Sequence, residues 1–411
     1  MKAGLLGSVW VALAIAWSAT QPSVQFEPRP RVVAEGRDPV ISVRASGALS
    51  LMKVLKGDLW VQTSFDGGDS FEPAVRVNDV QGEVSSHGES SPQMQIRTRS
   101  EFYTLWQTRR GEGSVLRFAR SMNWGESFSK AVEVDPTSTS QAFFTMNVSP
   151  KGVIYAAWLD GRDRGKGRMG TSAVYLTRST DKGQTFEKPV RVALDVCPCC
   201  RPSIGFGGDG TVYVSWRGVL ENNVRDIFVA ASPDGGATWG AAVRVAEDNW
   251  VLNGCPHSGA ALASIGKRLF IAWHAVRDKQ VTLSLAYSDD GGKTFSRRAM
   301  LADDVLDANH PYMSAVGGRL GIVFQGRPPA KQQGWAPISV YYREVDAEAR
   351  LSPLQTVGQA SGSASYPVFT FEEPERVFIT WTEPDKENKV VVLARGRRSN
   401  AAAAGGGNGG K

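Results

Sequence analysis

The chain has 411 residues, of which 42% are hydrophobic and 21% charged, as is usual for a soluble globular protein. Its formal net charge is +6, and its 47 lysine and arginine residues are spread along the whole chain. Because they form no basic block, we expect no nucleic-acid partner. This small excess of positive charge, spread along the chain, predicts a solvated surface with a mild preference for anionic ligands.

The first twenty residues have the pattern of a secretory signal peptide. Lys2 precedes an apolar run of about a dozen residues, which is too short to favour a transmembrane helix. Trp17 occupies a position before Ala19 at which a cleavable signal peptide has a small residue. An uncleaved anchor at residues 1–20 is therefore the alternative. We expect a secreted or periplasmic protein without stable membrane insertion after signal cleavage, in an oxidising compartment.

Five copies of a short motif follow at intervals of 53 to 58 residues. Each has the pattern Ser-x-Asp-x-Gly-x-Ser/Thr-aromatic, with Asn123 in place of Asp in the second copy. The pattern predicts a tight turn in which Asp caps backbone N–H groups, Gly has a positive φ and the aromatic ring packs on the sheet edge. The copies begin at Ser64, Ser121, Ser179, Ser232 and Ser288.

Short strands surround every copy, and helical periodicity is almost absent. The pattern predicts an all-β fold, a β-propeller of four-stranded blades, with seven blades preferred and six as the fallback. The innermost strands begin near Pro39, Pro92, Phe143, Pro202, Ser258, Pro311 and Pro367. The strand at Phe26 resembles an outermost strand, so we expect N- and C-terminal strands to close the ring. The propeller is predicted at 26–397 and a disordered tail at 398–411.

The five motifs resemble the Asp-box (BNR) repeats of the sialidase superfamily, over nearly all of the chain after the signal. The resemblance implies a sialidase-like β-propeller and, as one function, an exo-acting glycoside hydrolase of the exo-α-sialidase type. Sialidases hold the substrate carboxylate with three arginines, and they use a glutamate-activated tyrosine as nucleophile and an aspartate as acid/base. By resemblance, Arg37 in "GRDPVIS" is the first arginine, Arg201 a second, and Tyr366 the nucleophile.

The sequence also departs from the sialidase pattern. Asp38 stands where the family's Arg-x-Pro motif has an apolar residue, and either Asp38 or Asp58 would have to be the acid/base. Neither a third arginine nor a glutamate paired with the tyrosine is recognisable, and sialidases have six blades. The resemblance therefore bears more strongly on the fold than on the activity.

Cysteines and histidines are concentrated in the loops that lead into successive blades. These loops share one face of a propeller, where ligands usually bind over the central channel. The motifs "CCRPSI", "CPHSGA", "NHPYMS" and "SYPVFT" place one side chain each at equivalent positions around the channel. The four side chains are Arg201, His257, His310 and Tyr366, and Asp38 is the equivalent in the first blade.

Thiol and imidazole side chains together predict a transition-metal site, for copper or zinc. The candidate ligands are Cys197, Cys199, Cys200, Cys255, His257 and His310. Their spacing matches no standard zinc signature, and Arg201 directly after Cys200 argues against a covalent c-type haem. A disulfide from Cys255 to one of the upstream cysteines is expected in an oxidising compartment, and it leaves room for a metal at the remaining thiols.

Three classes of function stay open. We favour binding of a transition metal or small ligand by the Cys/His cluster on the top face. The alternatives are glycoside hydrolysis with Arg37, Asp38, Arg201 and Tyr366, and a non-catalytic propeller that binds a carbohydrate or a protein. The sequence does not decide whether the protein is an enzyme, and it predicts neither a substrate nor an oligomeric state.

Overall fold

The computed structural model describes residues 24–398, except residues 45, 169, 330–335, 361 and 373–374. The predicted signal segment 1–20 and residues 399–411 of the predicted tail lie outside the described residues. The regular secondary structure of the described chain is almost entirely antiparallel β-strand, which confirms the predicted all-β class. Two short 3-10 turns, Gly88–Ser90 and Glu221–Asn223, interrupt the strands. Over the described ranges, no helix is long and apolar enough to cross a membrane.

The first part of the described chain supplies two single strands and two sheets. The single strands are β1 (Val24–Phe26) and β2 (Arg31–Glu35). The first sheet contains β3 (Arg37–Val43), β4 (Leu49–Leu55), β5 (Asp58–Ser64) and β6 (Val75–Arg76). The second contains β7 (Val84–Ser85), β8 (Gln93–Ile96), β9 (Phe102–Arg110), β10 (Gly113–Ser121) and β11 (Val132–Glu133). Within each of these two sheets, consecutive strands pair antiparallel, except that β7 and β8 both pair with β9.

The middle of the chain forms an eight-stranded sheet made of two consecutive four-stranded units. The first unit contains β12 (Gln141–Val148), β13 (Ile154–Asp160), β14 (Ser172–Ser179) and β15 (Val190–Val196). The second contains β16 (Ser203–Phe206), β17 (Val212–Val219), β18 (Arg225–Ser232) and β19 (Val243–Arg244). A single pair, Val196 opposite Gly218, joins the two units.

The last part of the chain adds three more sheets. The first contains β20 (Ala261–Ile265), β21 (Arg268–Arg277), β22 (Gln280–Ser288) and β23 (Ala299–Met300). The next contains β24 (Leu306–Val316), β25 (Arg319–Arg327), β26 (Ser339–Val345) and β27 (Gln355–Gly358). The last contains β28 (Ser365–Glu372), β29 (Arg376–Asp385) and β30 (Asn388–Arg398). Both β1 and β2 pair with β30, so the N-terminal segment extends the last sheet.

Apolar side chains fill the space between neighbouring sheets, and one tryptophan on the second strand of most units anchors each layer. The five tryptophans are at most 4% exposed. They are Trp106, Trp158, Trp216, Trp273 and Trp381. Burying a large apolar side chain contributes roughly 1.5–3 kcal/mol, so these layers are a major source of stability. Carboxylates accept two of these buried indole N–H groups: Trp158 Nε1 donates to Asp160 and Trp273 Nε1 to Asp248, whereas Trp106 Nε1 is buried without a hydrogen-bond partner.

The five sequence motifs form turns that share one set of hydrogen bonds. In the first copy, Ser64 Oγ accepts the N–H of Gly68 at 2.7 Å, while Asp66 accepts both the N–H and the hydroxyl of Ser70. Gly68 has a φ of +89°, a conformation that glycine adopts without strain. The hydrogen bonds from Ser70 hold the pKa of Asp66 well below its ordinary value. The same contacts recur in the third, fourth and fifth copies. In the second copy the Asn123 amide donates to the Ser127 hydroxyl instead, and the backbone bonds are kept. The motif therefore fixes the turn between the third and fourth strands.

Candidate functional site

One cavity runs between the innermost strands and is lined by residues of β3, β8, β12, β16, β20, β24 and β28, or of the loops leading into them. Charged and hydrogen-bonding side chains gather at the end where these strands begin. They are Asp38, Glu89, Arg201, His310 and Tyr366. Three of the four residues that the resemblance to sialidases singled out therefore line the same cavity, together with one of the predicted metal ligands.

A left-handed backbone recurs where the innermost strands begin. Asp38, Phe143, His257, His310 and Tyr366 all have φ between 47° and 52°. Strand pairing shifts its register at four of these positions, as it does at a β-bulge, which redirects a side chain. Such a backbone costs on the order of 1–3 kcal/mol per non-glycine residue and is concentrated at functional sites. The repeated bulge is the local reason why the side chains of Asp38, His310 and Tyr366 meet at the mouth of the cavity.

Glu89 is the most buried charge at this end of the cavity, with 3% of the residue exposed. Its Oε1 lies 2.9 Å from His310 Nδ1, and its Oε2 accepts the backbone N–H groups of Arg201 at 3.2 Å and Gly259 at 3.0 Å. Burial alone would raise the pKa of Glu89, but the hydrogen bond from His310 and the charge of Arg201 outweigh it and lower the pKa. Glu89 is therefore ionised at neutral pH, and the proton shared with His310 resides on Nδ1.

Tyr366 lies between Glu89, His310 and the backbone of Gly88. Its ring centroid is 4.3 Å from that of His310. A Cβ on Gly88 would come within 2.6 Å of the Tyr366 hydroxyl, so only glycine allows this approach. Burial, followed by the negative charge of Glu89, raises the pKa of Tyr366 well above its ordinary range. Tyr366 is therefore a neutral phenol that needs a base before it can act as a nucleophile.

Arg37 and Asp38 lie side by side at the same mouth. Their side chains form an ion pair of 3.8 Å between Arg37 Nε and Asp38 Oδ2, and Asp38 also accepts a hydrogen bond from the Ser86 hydroxyl. The other predicted acid/base, Asp58, does not line this cavity. Its Oδ1 accepts Asn78 Nδ2 and a backbone N–H at 2.7 Å each, so Asp58 has a structural role in holding the loop after β5.

The three clustered cysteines are buried rather than exposed on the top face. Cys197 Sγ lies 3.6 Å from Cys199 Sγ and 3.7 Å from Cys200 Sγ, and all three residues are at most 3% exposed. Arg225 Nη1 donates to Cys197 Sγ at 2.9 Å. Hydrogen bonds from the other two thiols, together with the charge of Arg225, lower the pKa of Cys197, whereas burial raises the pKa of Cys200.

All four cysteines are free, so the disulfide that the sequence led us to expect is not formed. Cys255 is exposed and, with His257, forms a second close group with Cys199, in which all donor atoms lie within 4.8 Å of one another. The predicted metal ligands thus divide into two groups that share Cys199. His310 belongs to neither, since its Nδ1 contacts Glu89.

Glu89 was not identified from the sequence. It lies in "VSSHGESSP", a polar loop that resembles a solvated connection, and its partners are 112 to 221 residues away along the chain. The signal that could have revealed it is the neighbouring Gly88, which allows a positive φ of +46° and close contact with another side chain.

No family model matches the chain, and no curated protein does either. Solved structures of similar fold include a PL25 ulvan lyase, with a TM-score of 0.56 and 11% identity, covering 90% of this chain and 95% of the lyase. The polysaccharide lyase Uly1 has a TM-score of 0.52 and 12% identity, covering 90% of this chain and 91% of that one.

A point mutant of the NanB sialidase from Streptococcus pneumoniae has a TM-score of 0.50 and 8% identity, covering 86% of this chain and 84% of the sialidase. At such identities the likeness shows the fold alone. It supports the sialidase-like β-propeller that the sequence predicts.

The arrangement at the mouth of the cavity is suited to acid–base chemistry on an anionic ligand. It combines a buried carboxylate, an imidazole with a fixed Nδ1 proton, a neutral phenol and two guanidinium groups. The thiol groups lie beside this arrangement of side chains, because Arg201 directly follows Cys200 in the chain. They are the residues in the described chain best suited to hold a soft metal ion.

Proposed function

We propose that the protein cleaves glycosidic bonds of an anionic saccharide at the mouth of the central cavity. The observation that carries the proposal is the buried, ionised Glu89 next to Tyr366, whose phenol also interacts with Arg201 and Asp38. Glu89 provides the glutamate partner for the tyrosine that the resemblance to sialidases requires. The proposal therefore assigns the nucleophile to Tyr366 and its base to Glu89.

Two arginines are available to hold the anionic group of the substrate. Arg201 Nη1 is 3.3 Å from Ser91 Oγ at the cavity wall, and the Arg37 side chain is 34% exposed beside Asp38. Guanidinium groups bind carboxylates in two-point contacts, which orients the sugar. Proteins of similar fold support an anionic substrate: one is a sialidase, and one is an ulvan lyase bound to a saccharide of glucuronate and sulfated rhamnose.

The proposed reaction is a double displacement. Tyr366 Oη attacks the anomeric carbon while the bond from this carbon to the leaving oxygen breaks, and the phenol proton passes to Glu89. Asp38, the other carboxyl group lining this end of the cavity, protonates the leaving oxygen. Water then attacks the anomeric carbon as the bond from this carbon to Tyr366 Oη breaks. Asp38 takes the proton of the water, and Glu89 returns its proton to Tyr366 Oη, which restores all three groups.

Cleavage assays on sialosides and on uronate-containing oligosaccharides test the proposal. We expect release of a new reducing end by the wild type and loss of this activity in Tyr366→Phe. Tyr312→Phe is the matched control, since Tyr312 lines the same cavity and has no role in the proposed reaction. Equal activity of wild type and Tyr366→Phe would refute the assigned nucleophile.

β-Elimination from a uronate is the second candidate reaction, and the contact between His310 and Glu89 favours it. A carboxylate that holds the Nδ1 proton leaves Nε2 as the nitrogen able to take a proton from a substrate carbon. The proton on the carbon next to the sugar carboxylate would then pass to His310 Nε2 as the bond from the neighbouring carbon to the leaving oxygen breaks. Tyr366, whose ring lies against that of His310, would donate its phenol proton to the leaving oxygen and would regain a proton from His310 afterwards. The product would be an unsaturated sugar, which absorbs ultraviolet light, whereas hydrolysis yields a saturated one.

We further propose that the seven β-sheet units form one closed ring, in a protein exported to the periplasm or the exterior. Support for the ring comes from the innermost strands of all seven units, which line one cavity, and from the pairing of β1 and β2 with β30. Support for export comes from the pattern of residues 1–20. Determining the N-terminal residue of the protein recovered from culture tests the signal cleavage.

A further inference from the structure

The buried thiol cluster has the dimensions of a metal site. A metal ion bonded to three sulfurs at about 2.3 Å holds those sulfurs about 3.8–4.0 Å apart, depending on whether the geometry is tetrahedral or trigonal. Cys197 Sγ is already 3.6 Å from Cys199 Sγ and 3.7 Å from Cys200 Sγ, and all three sulfurs lie within 4.8 Å of one another. Little movement would be needed to bind an ion between them.

We propose that Cys197, Cys199 and Cys200 form a buried Cu(I) site that is loaded through Cys255 and His257. The site is separate from the saccharide-cleaving groups and does not depend on the proposed function. The three thiolates bind the ion, and their protons pass to solvent when it enters. The copper remains Cu(I) throughout, so no oxidant or reductant takes part.

The donor set favours Cu(I) over zinc. Structural zinc sites in proteins are almost always four-coordinate, whereas the close buried group contains three sulfurs and no nitrogen ligand. Soft thiolate ligands select Cu(I) among the transition-metal ions available to such a site. Val219 packs against the three cysteines and Phe143 lies at the edge of this cluster, so part of the surroundings is apolar.

Three thiolates and one Cu(I) ion together carry a net negative charge, and positively charged side chains near the thiols offset it. Arg225 Nη1 donates to Cys197 Sγ at 2.9 Å, and Arg225 is itself anchored to the backbone oxygen of Leu252 at 3.0 Å. Arg217, 1% exposed, accepts the N–H of Cys197 on its backbone oxygen. Its guanidinium donates to the backbone oxygens of Ser258 at 3.0 Å and His274 at 2.7 Å, and no carboxylate of the described chain forms an ion pair with it, so its positive charge is not neutralised there.

The second group explains how an ion could reach a buried site. Cys255 and His257 are exposed, and their donor atoms lie within 4.8 Å of Cys199. Because Cys199 belongs to both groups, an ion bound at the surface could pass to the buried thiols by exchanging one ligand at a time. Surface residues used in this way would affect the rate of loading more than the final affinity.

Anaerobic titration of the reduced full-length protein with Cu(I), against a competing chelator, tests the proposal. We expect one equivalent of Cu(I) to bind, with a shell of sulfur neighbours in X-ray absorption and a higher unfolding temperature than in the copper-free protein. These readouts use the wild type, so they do not depend on whether a variant folds. Less than one equivalent, or a shell with nitrogen or oxygen in place of the third sulfur, would overturn the site.

Serine variants then separate the two groups. Cys197→Ser and Cys200→Ser should each weaken Cu(I) binding by about 100-fold or more, since each removes a sulfur ligand. Cys255→Ser, the matched control outside the buried group, should keep the affinity within about threefold and load more slowly. A loss of affinity in Cys255→Ser as large as in Cys197→Ser would overturn the division into a buried site and a surface relay. His310→Ala should leave the affinity for Cu(I) unchanged. A large loss of affinity in this variant would also overturn the division into a buried site and a surface relay.

Discussion

The Nδ1 atom of His310 lies 2.9 Å from the Oε1 atom of Glu89, although the two residues are 221 positions apart in the sequence. Both side chains are largely buried, with 12% and 3% of their surface exposed. The contact joins the loop before β8 to β24 across the mouth of the central cavity. It fixes the imidazole against the ring of Tyr366 and places a charged carboxylate beside the phenol.

Replacing Glu89 by Gln should abolish most of the saccharide cleavage. The substitution keeps the shape of the side chain but removes the base for Tyr366, and general bases typically contribute about 100-fold or more to the rate. We expect the loss in kcat, with KM little changed, because the arginines that hold the anion remain. Glu83→Gln is the matched control: Glu83 is also buried, but it pairs with Arg117 away from the cavity. An active Glu89→Gln would remove Glu89 from the mechanism.

Gly88→Ala should reduce activity through Tyr366. Its new Cβ would lie 2.6 Å from the Tyr366 hydroxyl, and the position has a φ of +46°. Gly82→Ala provides the comparison, because Gly82 also has a positive φ, of +74°, but nothing lies within 4 Å of the added carbon. Both variants should lose about 1 kcal/mol of stability to backbone strain. Only Gly88→Ala should lower cleavage, and equal activity of the two variants would show that the position of Tyr366 is not critical.

His274 should make the fold less stable in mild acid. Burial, followed by the charge of Arg217, lowers the pKa of His274 from 6.5 to about 4. The unfolded chain therefore binds a proton below pH 6.5 that the folded protein does not bind until about pH 4. The contribution of His274 to the free energy of unfolding is therefore fully present above pH 6.5. It decreases as the pH drops toward 4, by about 2–3 kcal/mol in total.

Urea unfolding of the wild type and of His274→Gln at several pH values measures this contribution. The variant should show a smaller loss of stability between pH 6.5 and 4 than the wild type. His87→Gln, at an exposed histidine, should keep the wild-type slope. Identical slopes in wild type and His274→Gln would contradict the assignment.

Asp160 should be essential for folding stability but not for chemistry. Asp160 is fully buried and forms an ion pair with the Arg162 guanidinium. It also accepts three hydrogen bonds: from Trp158 Nε1 at 2.8 Å, from the backbone N–H of Arg162 at 2.8 Å and from Ser138 Oγ at 3.0 Å. Asp160→Ala leaves these donors unpaired, so we expect a loss of about 3–5 kcal/mol in the free energy of unfolding. Asp209→Ala, at an exposed turn, should cost far less, and equal losses would refute the buried network.

The strand order could be predicted because its signals are local and repeated. The Ser-x-Asp turns, exemplified by Ser64 and Asp66, recur at a nearly constant interval, and their hydrogen bonds lie within a few residues. The motifs before Pro39, Pro311 and Pro367 likewise identified side chains that reach the cavity, because each carries the same bulge.

The composition of the site could not be predicted to the same extent, because it depends on contacts between distant loops. Glu89 gains its role only through Arg201, Gly259 and His310, which belong to three other units. The sequence also placed the cysteines together on an exposed face. Packing instead buries Cys197 with its two neighbours and leaves Cys255 at the surface.

The most direct test of the proposed function is to trap the covalent intermediate on Tyr366. The protein would be incubated with an activated, fluorinated anionic glycoside, whose slow second step lets the intermediate accumulate, and then analysed by intact mass and peptide mapping. We predict one added sugar, located on the peptide that contains Tyr366 and absent in Tyr366→Phe. Absence of any adduct while the natural saccharide is converted to an unsaturated product would contradict displacement by Tyr366.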